Sequence, residues 1–175
     1  MQTTIARPSE APPWTRVASE VNAWRGACIQ SFARAEAAVT ETLLVLGRSG
    51  QRGTTVRLRH LVGQRLDDLA KAIGPDGAFA AEGAAAHAVL ARFRTHEALR
   101  AHLAHDVARI AVERNGTWVV VFRHLSIRSG RPERATVAFE QSGAAETAAE
   151  LKRDIQQLES ALANLRRAVE LQGPA

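Results

Sequence analysis

The residue types best suited to chemistry lie in one short stretch, residues 99–106, which reads Leu-Arg-Ala-His-Leu-Ala-His-Asp. Phosphoryl transfer without a metal ion needs a group that moves a proton and a cation that stabilises the charge that develops on the phosphate. Histidine titrates near neutral pH, so His105 is suited to acid–base catalysis. The planar guanidinium of Arg100 matches two phosphate oxygens. Arg100 and His105 are therefore candidates for this chemistry.

Helical geometry limits what this pair does within one chain. Five positions along an ideal helix correspond to a rotation of 500°, so the side chains of Arg100 and His105 diverge by about 140°. One straight helix does not place both at one site. The structural alternative is that Arg100 forms a salt bridge and that His105 ends the helix close to its negative dipole.

The same stretch resembles the signature of the HEPN superfamily, in which an Arg is followed four to six residues later by a His, often as Leu-Arg-Asn-x-Leu-Ala-His. Arg100, His105 and the Leu-Ala-His ending at residues 103–105 match, whereas Ala101 stands where Asn is common. The resemblance implies an antiparallel helical bundle and an RNA-directed function, as a metal-independent endoribonuclease of toxin or defence type with Arg100 and His105 as its catalytic residues. It also implies a homodimer whose motif helices meet across a two-fold cleft, and no cofactor.

A metal site is the alternative chemistry for this stretch. His102 and His105 lie three positions apart on a predicted helix and Asp106 follows, which resembles the His-Asp pair of HD-type phosphohydrolases. That class needs further ligands from other helices, and Asp154 is expected to be a solvated charge. The other candidate ligands are His60, His87, His96 and His124. We expect no tightly bound transition metal.

The distribution of charge also bears on RNA. The net charge is +5, and 21 of the 23 cations are arginine. No acidic residue lies between Glu41 and Asp67, and a surface of one sign attracts polyanions. No aromatic residue interleaves with the cations there, so base stacking is not predicted. The predicted nucleic-acid contacts are Arg48, Arg52, Arg57, Arg59, Arg65 and His102. The alternative is a solvated loop and helix face.

Apolar residues recurring at steps of three and four predict the helices. They cover residues 15–46, 56–73 (with Leu58 and Leu61 facing inward), 84–103 with a break near Thr95, and 145–171. The first and last helices carry long apolar seams, which can pair with each other or with a second copy. Cys28 lies on the first seam and is expected in the core.

The periodicity changes after residue 106. Residues 107–113 and 117–127 are rich in β-branched side chains and flank Asn115-Gly116, which is typical of a β-hairpin. Residues 135–139 can add a third strand. The β-ribbon therefore spans about residues 107–139, before the last helix, and Trp118 within it is expected to pack on the helices.

The fold class is mainly α, an antiparallel four-to-five-helix bundle with this small antiparallel ribbon inserted before the C-terminal helix. Residues 14–172 are expected to form one HEPN-like domain, after a flexible tail at residues 1–13. No stretch approaches the roughly 20 apolar residues that cross a bilayer, and the single cysteine suits a reducing, cytoplasmic compartment. The alternative to an RNA-directed function is a non-catalytic, homodimeric interaction module.

Overall fold

The computed structural model describes residues 13–128 and 130–171, and this part of the chain is mainly helical. Its elements are α1 (Pro13–Gly47), α2 (Gly50–Gly53), α3 (Val62–Ile73), α4 (Ala80–Arg94), α5 (Glu97–His105), β1 (Val107–Val112), β2 (Trp118–Arg128), β3 (Arg131–Glu140) and α6 (Gln141–Leu171). None of these helices is both long and apolar enough to span a membrane. The predicted tail lies, apart from Pro13, outside the described residues.

The long helices α1 and α6 pack against each other through the predicted apolar seams. Buried positions on α1 include Phe32 and Leu43, and those on α6 include Leu151 and Leu158. The Nε1–H group of Trp24 also donates a hydrogen bond to a carbonyl oxygen at the start of α6, over 2.8 Å. Both seams are therefore buried within one chain. The homodimer stays a prediction, and it no longer follows from the seams.

The shorter helices differ from the prediction at α2, which was not predicted, at α4, which begins at Ala80 rather than at residue 84, and at the start of α3. The break near Thr95 is confirmed, since α4 ends at Arg94 and α5 begins at Glu97. The prediction of a helix from residue 56 is wrong: α3 begins at Val62, and Leu58 and Leu61 are 52% and 60% exposed rather than inward-facing. The residues before α3 instead form a loop that side-chain hydrogen bonds hold against the helix.

The predicted hairpin forms two strands of a three-stranded antiparallel sheet in the order β1-β2-β3. Its loop is closed by a hydrogen bond from the N–H group of Gly116 to the carbonyl oxygen of Glu113. Gly116 has φ of +87°, the left-handed conformation that ends a three-residue hairpin loop. The possible third strand at residues 135–139 is present and is longer than predicted, since β3 covers residues 131–140 and leads directly into α6.

One face of the sheet packs on the helices. Trp118 and Phe122 on β2 are buried, and the centroid of the Trp24 ring of α1 lies 6.2 and 6.3 Å, respectively, from the centroids of their rings. The expected packing of Trp118 is thus confirmed. Cys28 is buried on α1, also as expected, and burial raises the pKa of its thiol to about 11.

Candidate functional site

The two predicted catalytic residues face different surroundings. Arg100 donates a hydrogen bond from Nε to the Glu36 carboxylate of α1 over 2.6 Å. His105 is exposed at the end of α5, and no side-chain hydrogen bond to it is seen within the described ranges. Arg100 therefore forms a salt bridge, as the structural alternative predicted. Within a single chain, Arg100 and His105 do not share a site.

The predicted nucleic-acid segment contains no acidic residue, but carboxylates from outside the segment lie next to two of its arginines. Arg52 contacts both carboxylate oxygens of Glu82 at 2.8 Å, and its guanidinium lies 4.3 Å from the ring centroid of Phe79. Arg59 contacts both carboxylate oxygens of Asp68 at 2.8 Å. Arg52 links α2 to α4, and Arg59 links the loop before α3 to that helix, so the charges of both arginines are neutralised locally.

The remaining cations of that segment differ in their surroundings. Arg65 donates a hydrogen bond to the carbonyl oxygen of His60 over 3.0 Å. Arg48 and Arg57 are exposed, and neither forms an ion pair with another described residue. The expected one-signed surface is therefore a surface of mixed charge, and nucleic-acid binding by Arg48 and Arg57 stays a prediction.

The structure assembles a different group of chemically active residues at the end of α5: His102, Asp106 and His124, called here the His–Asp–His group. The Nδ1 atom of His102 lies 2.6 Å from Oδ2 of Asp106, and Nδ1 of His124 lies 2.6 Å from Oδ1. The two imidazole rings are perpendicular, with centroids 5.8 Å apart. One carboxylate therefore holds two imidazoles, one on each oxygen.

Local structure explains how these three residues meet. His102 lies four positions before Asp106, which ends α5 and donates its backbone N–H to the carbonyl oxygen of His102. The antiparallel pairing of Val107 with Arg123 places Asp106 opposite His124 one step further along the same register. His102 was predicted as an RNA contact and His124 only as a further metal ligand; their pairing through Asp106 was not predicted.

Burial and hydrogen bonding act in opposite directions on the charge of Asp106. The Asp106 side chain is 2% exposed, whereas those of His102 and His124 are 17% and 31% exposed. Burial by itself raises the pKa of Asp106, but the hydrogen bonds from His102 and His124 outweigh it, so the pKa lies below its ordinary value. Asp106 is therefore an anion at neutral pH, and both rings retain contact with solvent.

The His–Asp–His group also contains the ligand types of a transition-metal site. An ion bound to two imidazoles at 2.0–2.1 Å needs their nitrogen atoms within about 4.2 Å. Here both Nδ1 atoms are hydrogen-bonded to the carboxylate directly. The partners required for an HD-type site do not join the group, since Asp154 contacts His96 instead. The absence of a tightly bound metal stays a prediction.

Asp154 is buried rather than solvated, which corrects the expectation from its place off the α6 seam. Its carboxylate lies 3.0 Å from Nε2 of His96 and 3.1 Å from Nε of Arg92. Only 6% of the Asp154 side chain is exposed. This ion pair links α6 to the junction of α4 and α5, and its role is structural.

A cation lies close to the His–Asp–His group. Nε of Arg25 on α1 donates a hydrogen bond to the carbonyl oxygen of Leu103 over 2.6 Å, next to His102. The Arg25 guanidinium also lies 5.9 Å from the ring centroid of Phe122, which is on the same face of β2 as His124. Arg25 satisfies a carbonyl group that the helix end leaves free, and it brings positive charge to this region.

Replacing Asp106 with Asn is expected to destabilise the protein by about 1.5–3 kcal/mol at neutral pH, because charge-assisted hydrogen bonds from two imidazoles are lost. Since the pKa of Asp106 is lowered by folding, its stabilisation is complete above its ordinary pKa and disappears as the pH falls through the folded-state value. The difference between wild type and variant should therefore narrow below about pH 4.

Urea denaturation at several pH values measures this difference. The matched control is Asp76→Asn, an exposed aspartate, which should change the free energy of unfolding by less than about 0.5 kcal/mol. Equal effects of the two substitutions at all pH values would contradict a charged, hydrogen-bonded Asp106.

Comparisons with known proteins found no relative from which a function can be transferred. Neither a family model, nor a curated protein, nor a solved structure matches this chain. Function is therefore inferred from the geometry of the His–Asp–His group and from the charged surfaces around it.

Proposed function

We propose that this chain is an RNA-directed domain that cleaves phosphodiester bonds without a metal ion, with His102 and His124 as the acid and base. The observation that carries the proposal is the pair of partly exposed imidazoles held on one buried carboxylate, each over 2.6 Å. Cleavage through the 2′-hydroxyl needs two proton transfers, one at the nucleophile and one at the leaving group. Two histidines with fixed orientation supply both.

The hydrogen bonds determine which nitrogen atoms act. When each Nδ1–H donates to Asp106, the tautomer is fixed and Nε2 of each ring remains to exchange a proton. A neutral ring accepts the 2′-hydroxyl proton through Nε2 as the 2′-oxygen forms a bond to phosphorus. The other ring, protonated, donates its Nε2 proton to the 5′-oxygen as the phosphorus–oxygen bond breaks. The products are a 2′,3′-cyclic phosphate and a 5′-hydroxyl.

Charge near the group supports an anionic substrate. The chain carries a net charge of +5, and the Arg25 guanidinium lies next to the end of α5. Only its Nε donates to Leu103, and its terminal nitrogens form no hydrogen bond or ion pair with another described residue. A guanidinium there can stabilise charge on the phosphorane.

The proposal keeps the RNA-directed function implied by the HEPN resemblance and assigns the acid–base chemistry to His102 of the same stretch and to His124 of β2. In a HEPN-type homodimer, Arg100 and His105 of two copies would form the site, and the exposure of His105 is compatible with that arrangement. The two versions differ in which histidines are required. That difference is measurable.

The experiment is incubation of purified protein with single-stranded RNA in excess EDTA. We expect cleavage that leaves a 2′,3′-cyclic phosphate, and no cleavage of DNA or of 2′-O-methyl RNA, because both lack the attacking hydroxyl. Cleavage that EDTA abolishes and zinc restores would instead assign the His–Asp–His group to metal binding. RNA left intact under all conditions would contradict the proposal.

A non-catalytic interaction module is the second candidate, favoured by exposed apolar side chains. Leu58 and Leu61, three positions apart before α3, are each more than half exposed, and large exposed apolar groups are typical of contact surfaces when they form a patch. A dimer in light scattering, together with intact RNA in the assay above, would favour this candidate.

A further inference from the structure

The outer face of the sheet, which points away from the helices, carries a row of arginines. Side chains alternate along a strand, and Phe122 is buried against the helices, so Arg123 lies on the outer face. Arg109 is opposite Val121 on this face, and Arg134 is opposite Leu125. The outer face thus presents one arginine from each of the three strands.

The register places these arginines on a diagonal. From Arg109 to Arg123 to Arg134, each step moves one strand across and two positions along β2, which separates neighbouring Cα atoms by about 7–8 Å. All three are exposed, and no described residue forms an ion pair or side-chain hydrogen bond with any of them. Their charges are therefore available to a partner.

Acidic residues are almost absent from this face of the described sheet. Glu140 is the exception, and it pairs with Val119, four positions along β2 from Arg123 or about 13 Å. Between the arginines lie exposed aliphatic side chains, Leu125 at 63% and Val107 at 67%. No aromatic side chain lies on this face of β1, β2 or β3. The face is cationic and offers no platform for base stacking.

We propose that the outer face of the sheet binds the phosphate backbone of single-stranded RNA through Arg109, Arg123 and Arg134, independently of base sequence. Guanidinium groups match phosphate oxygens in a fork and stay charged at all physiological pH values. Without aromatic side chains, recognition is limited to the backbone. A second copy of this chain is disfavoured, because a two-fold contact through this face brings arginine rows of like charge together.

The choice of RNA as the ligand rests on the proposed function. The position of the outer face relative to the His–Asp–His group supports this choice. Arg123 and His124 are consecutive on β2, and Val107 follows Asp106, so the row and the His–Asp–His group lie at the same end of β1 on opposite sides of the sheet. A flexible single-stranded RNA bound to the outer face therefore passes close to the first residue of β1. The imidazoles lie at the same end of β1, on the other side of the sheet.

The test uses the triple substitution Arg109→Gln, Arg123→Gln and Arg134→Gln in the full chain. The probe is a fluorescent 2′-O-methyl oligouridine, which cannot be cleaved, and binding is measured by anisotropy over a range of salt concentrations. Three lost phosphate contacts should lower the slope of log Kd against log salt by about 2. The control replaces three exposed cations of α6, Lys152, Arg153 and Arg167, with Gln and should leave most of the slope intact.

Other outcomes decide against the proposal. An equal decrease in the α6 control would show that net charge alone drives binding, and wild-type binding in the sheet variant would exclude the face. Loss of binding to a polyglutamate peptide with RNA binding unchanged would assign the face to acidic proteins. A sheet variant that loses oligouridine binding, in a protein whose wild type never cleaves RNA, would uphold this inference while contradicting the proposed catalysis.

Discussion

Replacing His124 with Asn is expected to lower the rate of RNA cleavage by about 10²–10⁴-fold, the usual contribution of a general acid or base. The amide nitrogen of Asn can still donate to Asp106, so the hydrogen bond of the His–Asp–His group is retained while the titrating group is lost. His102→Asn should have an effect of the same size. The double variant should lose little more than either single variant, because residues that act as a unit are not additive.

Single-turnover cleavage of a fluorescent RNA measures these effects, and thermal melting shows whether each variant remains folded. The matched controls are His105→Asn, at the exposed end of α5, and His87→Asn on α4. Wild type should show a bell-shaped dependence of the rate on pH, and each single variant should lose one limb. Loss of activity in His105→Asn with full activity in His124→Asn would instead support the HEPN-type site of Arg100 and His105.

The second large effect concerns stability. Replacing Asp154 with Ala is expected to destabilise the protein by about 2–4 kcal/mol, because the nearly buried His96 ring loses its hydrogen-bond partner and the half-exposed Arg92 loses its ion pair. His96 is itself nearly buried, with 10% of its side chain exposed, so it cannot turn to solvent without disturbing the start of α5. Urea denaturation gives the free energy of unfolding directly.

Asp67→Ala provides the matched control for this measurement. The Asp67 side chain is 55% exposed and forms an ion pair with Arg94 over 2.8 Å, and such surface pairs contribute at most about 1 kcal/mol. A destabilisation by Asp154→Ala no larger than that of Asp67→Ala would contradict a buried, structural Asp154.

Part of the His–Asp–His group follows from the sequence. Asp106 and His124 are each nine residues from Asn115, so a hairpin loop centred on Asn115 places them opposite each other. His102 precedes Asp106 by four positions, which brings the two side chains together at a helix end. Both relations are local, depending on one turn and one helical period. Centring the register on Asn115 would therefore have found the group.

The long helices and the hairpin were also predictable, because apolar periodicity and turn chemistry act over a few residues. The late start of α3 was not predictable in this way. The residues before Val62 form a loop in which the Arg59 side chain donates a hydrogen bond to Asp68. Leu58 and Leu61 continue the helical spacing of apolar residues, but neither side chain is buried. Periodicity alone cannot distinguish a helix from a loop held by side chains.

Ion pairs between distant elements were decided only by the tertiary structure. Arg52 meets Glu82, Arg100 meets Glu36 and Asp154 meets His96, and these partners lie on separate segments of the chain. Counting charges along the sequence therefore predicted a cationic surface where the surface has mixed charge, and a solvated Asp154 where this residue is buried. The physical reason is that helix packing sets which charges approach within 4 Å, whereas a local pattern determines only which face of an element a residue occupies.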